Sequence, residues 1–252
     1  TSVASLAAIA GMGVVALLAF ALPLRAFYAV GGVVIIAAAV LVTRLPVNAA
    51  SSGKAMPRML LNRRYGLYYI LTFFEGSRMQ VFGAFGTLIL VQNYGLDARA
   101  ISLLLLTSSV VNLVVVPRFG KLIDRIGERW TLSASYVLLA LCFIGYATVH
   151  NALFLSAMVI GINLLVTLHL ALTTYVNRIA PPEELSPTLS AGMSINHVSS
   201  VGMSLVAGSL LQIVGYETLC YGAAAIILVS VPFALAMRVS APAPQPGLAA
   251  AE

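Results

Sequence analysis

Eight times along the chain an apolar run of bilayer length recurs, and that recurrence leaves few folds open. The runs are Val3 to Leu24, Phe27 to Val42, Gly66 to Val91, Ala100 to Val116, Trp130 to Val149, Leu153 to Tyr175, Leu189 to Val214 and Thr218 to Met237. A helix needs about 20 mostly apolar residues to cross a bilayer. Hydrocarbon offers no hydrogen-bond partner to the backbone, so a spanning segment is a helix or a strand of a closed barrel. These runs are too long and too evenly apolar for barrel strands. With 60% of residues hydrophobic and 9% charged, the chain cannot present a water-soluble surface either. The expected fold class is an all-α membrane protein with about eight transmembrane helices.

Topology follows from the basic residues. Short turns near Pro23 to Ala26, Gln92 to Arg99, His150 to Asn151 and Gly215 to Glu217 lie on one side of the membrane, and longer charged loops on the other. Arg44, Lys54, Arg58, Arg63, Arg64, Arg118, Lys121, Arg125, Arg129, Arg178 and Arg238 fall on the longer-loop side, against Arg25 and Arg99 opposite and Arg78 within a span. Cytoplasmic loops carry such an excess. Both ends of the chain are therefore expected in the cytoplasm. The net charge of +6 is a topological signature rather than a nucleic-acid footprint, because its cations are dispersed over loops without a basic, aromatic-rich domain. Anionic membrane lipids are the ordinary partner of these side chains.

Soluble-enzyme chemistry finds no foothold. The sequence has no HExxH, GxGxxG, GxxxxGK followed by Ser or Thr, or CxxC, and GMSIN and GMSLV lack the second glycine of a nucleophile elbow. Ser194 and His197 have a workable spacing for a nucleophile and base, without a third group or an oxyanion signature. Cys142 and Cys220 fall in or beside apolar runs and say nothing about redox compartment. No metal or cofactor is expected. Without a nucleotide-binding motif, any transport would draw on gradients.

A charged side chain at the centre of a spanning helix costs about 2.5–3.5 kcal/mol even on the most lenient scale. Only the third run, LTFFEGSRMQVFGAFGTLIL, accepts that cost, with Glu75, Arg78 and Gln80 near its middle. Glu75 and Arg78 are three residues apart and share a helix face, continued by Phe82 and Phe85. They form either a self-neutralising internal pair or part of an aqueous path, with Arg78 holding an anionic group and Glu75 carrying a proton. Two further runs are polar on one side. In the sixth, Asn163, Thr167 and Thr174 share a strip with His169 and Thr173 adjacent. In the seventh, Ser190, Ser194, His197, Ser204 and Gly208 align, with Asn196 on the flank. Such stripes line transport paths, and small and hydroxyl residues equally serve helix packing.

The remaining motif is the decapeptide GKLIDRIGER at residues 120–129. Gly120, Leu122, Asp124, Arg125, Gly127 and Arg129 match a loop signature that resembles the one joining the second and third helices of each half in the major facilitator superfamily. Glu128 departs from it, standing where a basic residue is usual. The resemblance implies a twelve-helix plan, of which two runs before a polar linker and six after it correspond to helices five to twelve. Residues 1–43 would then be the last two helices of the N-terminal bundle, 44–65 a cytoplasmic linker, 66–238 the C-terminal six-helix bundle and 239–252 a cytoplasmic tail. The resemblance also implies that Gly120, Asp124, Arg125, Gly127 and Arg129 form a conformational latch, with the two glycines turning the chain and Asp124 held by Arg125, Arg129 or a helix N-terminus. The plainer alternative is a charged hairpin that only fixes topology. The function so implied is secondary active transport of a small solute by alternating access, coupled to protons, in the cytoplasmic (inner) membrane of a bacterium. A transport-inactive receptor or scaffold on the same fold is the alternative. The GxxxGPxxxGG pattern of the drug–proton antiporter branches is absent.

Overall fold

The computed structural model describes residues 10–11, 24–44 and 59–237. Most of the expected first span and of the linker, and the whole tail, lie outside these residues, as do Lys54, Arg58 and Arg238. Every regular element among the described residues is helical. Helix α1 is Leu24–Thr43, α2 Gly66–Tyr94, α3 Ala98–Ile126 and α4 Glu128–Thr148. Helix α5 is Ala152–Ile179, interrupted by a 3-10 turn at Thr167–His169. The last run, Pro182–Leu235, breaks at Gly215, with φ 77° and ψ 170°. Its arms are α6, residues 182–214, and α7, residues 216–235. Among the described residues α3, α4, α5 and the Pro182–Leu235 run are each long and apolar enough to cross a membrane.

Local chemistry sets the turns. Gly95 ends α2 at φ 65° in the left-handed region, and Asp97 caps α3 by accepting from the Ala100 N–H at 2.8 Å. Asn151 caps α5 through the amides of Leu153 and Phe154. These satisfy helix-end donors and carbonyls that hydrocarbon could not. On the opposite side α3 runs on to Ile126, ten residues beyond the apolar limit expected at Val116. The decapeptide is therefore mostly helix. Gly127, at φ 86°, alone joins α3 to α4, and Gly120 sits inside α3 rather than at a turn. Outside the apolar layer the charged side chains reach water while the backbone keeps its intrahelical bonds, so nothing stops the helix until a left-handed glycine.

Helices α2 to α7 share one core. The α6–α7 run lies along both α2 and α4, while α3 and α4 flank α5. Tyr136, Phe143 and Tyr146 from α4 are fully buried with Leu71 and Leu90 from α2, Leu155 and Ile162 from α5 and Ile227 from α7. Outward-facing positions stay apolar too: Val137, Leu138 and Leu141 on α4 and Val198, Val201 and Leu205 on α6 are exposed. A helix apolar all round faces core on one side and lipid on the other. This is an all-α membrane protein.

Candidate functional site

Two polar centres stand out, one within the bundle and one at the charged ends of its helices. The inner one is on α2. Glu75 and Arg78 are each 5% exposed, and Arg78 Nη2 approaches Glu75 Oε1 at 3.4 Å. That is a long contact for opposite charges, which close to about 2.7–2.9 Å when fully engaged. The guanidinium also stacks on the fully buried Tyr136 ring of α4, 4.2 Å from its centroid. Arg78 Nε and Nη1 and the Tyr136 hydroxyl make no hydrogen bond of ordinary geometry, although the hydroxyl and the guanidinium are close enough to interact with each other. Backbones of α2 and α4 scarcely approach each other. Long side chains bridge them: Arg78 to Tyr136, and Tyr146, whose hydroxyl donates to the Gly86 carbonyl at 2.6 Å.

Helix α2 is held tightly to α6 beside this pair. Gly76 leaves no room for a Cβ, which would run into the Asn196 carbonyl and the Ser199 hydroxyl. Ser200 Oγ donates to the Gly76 carbonyl at 2.9 Å. Gly192 likewise lies under the Tyr68 hydroxyl. At the α2 start the Tyr65 hydroxyl donates to Glu184 Oε2 at 2.6 Å. Burial together with the Glu184 carboxylate pushes the Tyr65 pKa up to about 12.

The other expected site residues do not join Glu75 and Arg78 through any hydrogen bond or ion pair among the described residues. Gln80 lies in α2, and its side chain is outside the described set, as are those of Phe82 and Phe85. Asn163 donates to the Val159 carbonyl, Thr167 to Asn163 and Thr174 to Leu170. This strip of α5 is therefore satisfied along its own helix. His169 lies in the 3-10 turn, exposed, with Nδ1 3.0 Å from the Val166 carbonyl. His197 is exposed on α6, and Asn196 next to it is half-buried. A cavity of about 290 Å³ between α6 and α7, lined by Met203, Leu210, Leu219 and Ile226, is apolar and shares no residue with these groups.

The outer centre involves the decapeptide. Asp124, in the last turn of α3, pairs with Arg178 at 3.7 Å rather than with Arg125 or Arg129, and it sits at a helix C-terminus. The acid at a helix N-terminus is instead Glu128, the residue that departs from the signature: it opens α4 and is 1% exposed. Arg178 Nε lies 2.8 Å from Glu128 Oε1. Arg178, from the end of α5, is thus shared by both acids. The helix dipole favours Glu128 at this position. Sequence reasoning missed Glu128, Arg178 and Tyr136. An acid directly after a turn glycine and a basic residue in a last helical turn are legible signals, whereas nothing in the spacing ties Tyr136 to Arg78.

The arrangement is thus one of charges buried in an apolar helical bundle and an ion-pair cluster at its charged end. The family model of the Major Facilitator Superfamily matches residues 68–252. The chain belongs to that superfamily, whose members are transporters of small-molecule solutes rather than enzymes. No curated relative matches the chain.

Proposed function

We propose that the protein is a secondary active transporter that moves a small solute by alternating access, coupled to protons through Glu75. The observation that carries this reading is the buried pair on α2. A packing role is served by apolar residues at lower desolvation cost, yet Glu75 and Arg78 are 5% exposed, held by a loose 3.4 Å contact. A loose pair is one that a proton on Glu75 releases. If Glu75 holds the proton in one conformation and loses it in the other, the difference in proton affinity is the coupling free energy. Mid-span His169 and His197 are exposed on the bundle. Imidazoles do not face lipid at that depth without cost, so these positions support a water-lined face turned to the other half of the transporter, on the substrate or proton pathway with Asn163, Asn196 and Gln80.

Gly120, Asp124, Arg125, Gly127 and Arg129 form the latch, and Arg178 is its clasp, gripping Asp124 and Glu128 in this state. Residues 1–43, 44–65, 66–238 and 239–252 act as the end of one bundle, a linker, the second bundle and a tail. The longer charged loops lie on the cytoplasmic side of a bacterial inner membrane. In proteoliposomes of the full-length protein, Glu75→Gln should abolish gradient-driven uptake and leave passive exchange. Driven uptake at wild-type rate in that variant would remove Glu75 from the coupling.

A further inference from the structure

The unpartnered edge of Arg78 specifies what the inner centre binds. We propose that Arg78 and Tyr136 form the subsite for the carboxylate of a small organic acid, taken up together with one proton on Glu75. This deepens the transport reading above and rests on it.

The geometry of the stack carries the inference. A guanidinium lying on an aromatic ring uses its face and keeps its in-plane N–H groups free. Tyr136 takes the face at 4.2 Å. Of the edge, only Nη2 is engaged, at 3.4 Å, and Nε and Nη1 are unpartnered although the side chain is 3% exposed. The Tyr136 hydroxyl, on a fully buried residue, makes no hydrogen bond of ordinary geometry either, its polar neighbour being the Arg78 guanidinium itself. Buried donors left unmade cost about 1–3 kcal/mol each, more on a charged group. Such a cluster is matched by a planar acceptor with two oxygens, and a carboxylate is the planar partner a guanidinium fork fits in two-point fashion. Nη2 and Nε complete that fork once Glu75 lets go.

Charge balance brings in the proton. Glu75 and Arg78 together are neutral, so an added anion leaves the buried site at net −1, unfavourable in a low dielectric. Protonating Glu75 restores neutrality and frees Nη2 in the same step. The titratable groups beside Glu75 are Tyr68 of α2 and Tyr136 of α4, and α6 meets this stretch through the uncharged Asn196, Ser199 and Ser200. Carboxylate and proton therefore enter as a pair and leave as a pair, with no net charge moved.

The test uses the full-length protein in liposomes with a luminal pH dye, against protein-free liposomes, with lactate and pyruvate as probes and chloride, nitrate, glycerol and glucose as comparisons. Saturable lactate or pyruvate entry with one proton each, insensitive to membrane potential, is expected. Arg78→Lys should lower it at least tenfold, and Tyr136→Phe, which keeps the stack, should raise the half-saturating concentration severalfold. Glu75→Gln should still exchange the probe across the membrane but acidify the lumen no longer. Saturable uptake of glycerol, glucose, chloride or nitrate with the carboxylates inert would overturn the carboxylate subsite and leave the transport reading standing. Carboxylate uptake unchanged in Arg78→Lys would also overturn it. No uptake of any solute by a folded protein would remove both.

Discussion

Gly76→Ala is the sharpest probe of how α2 is mounted. A methyl at this position would overlap the Asn196 carbonyl oxygen and the Ser199 hydroxyl and lie 2.9 Å from the Asn196 carbonyl carbon. Backbone cannot swing aside as a side-chain tip can, so α2 and α6 must part by roughly 1 Å to regain ordinary contact. Overpacking of this kind costs about 1–3 kcal/mol. Parting also stretches the 2.9 Å bond from Ser200 to the Gly76 carbonyl, and interhelical bonds in membranes contribute about 0.6 kcal/mol on average. Alanine's better helix propensity returns at most about 1 kcal/mol. The net loss is about 2 kcal/mol, a fall of roughly 4–8 °C in melting temperature for a chain of this size. Thermal unfolding in detergent reads it, with Gly161→Ala as the control, since nothing lies within 4 Å of a Cβ there. Gly192→Ala should fall between the two, because the obstacle is the Tyr68 side chain. A Gly76→Ala protein that melts with the wild type, or with Gly161→Ala, would refute the close approach of α2 and α6.

Two further outcomes test the helix ends. Arg178→Ala leaves Glu128, 1% exposed, without its cation; breaking a buried pair costs about 3–5 kcal/mol, discounted here because Arg178 is partly exposed. A loss of about 2 kcal/mol in detergent melts is expected, and adding Glu128→Gln should recover most of it. Tyr65, whose pKa is raised from 10.0 to about 12, favours folding in its neutral form. That contribution is whole below pH 10 and is lost as pH rises towards about 12. Melting temperatures of Tyr65→Phe should therefore converge on the wild type across that window, having started lower by the loss of the Glu184 hydrogen bond.

The fold was legible because bilayer crossing leaves a signal in every residue of a span. Helices α2 and α4 begin and end within three residues of the apolar runs read from the sequence. The error at α3 has a physical cause: hydropathy marks where lipid ends, not where the helix does, and residues 117–126 remain helical in the charged layer. Glu75 and Arg78 were legible for a related reason, since charge within an apolar run is anomalous by itself. Their partner Tyr136 was not, because a tyrosine in a span is unremarkable until tertiary structure lays it against a cation. The Arg178 partner of Asp124 was not legible for the same reason. Arg125 and Arg129 are neighbours in sequence, whereas Arg178 comes from the far end of α5 and only packing brings it there.

The most direct test of the central claim is uptake by proteoliposomes of the full-length protein, screened over anionic and neutral metabolites with and without an imposed proton gradient, beside Glu75→Gln and Arg78→Ala. Gradient-dependent uptake of a solute, lost in both variants, is the expected result and puts the coupling site on α2. Robust gradient-driven uptake that survives both substitutions would contradict it and reduce the buried pair to packing.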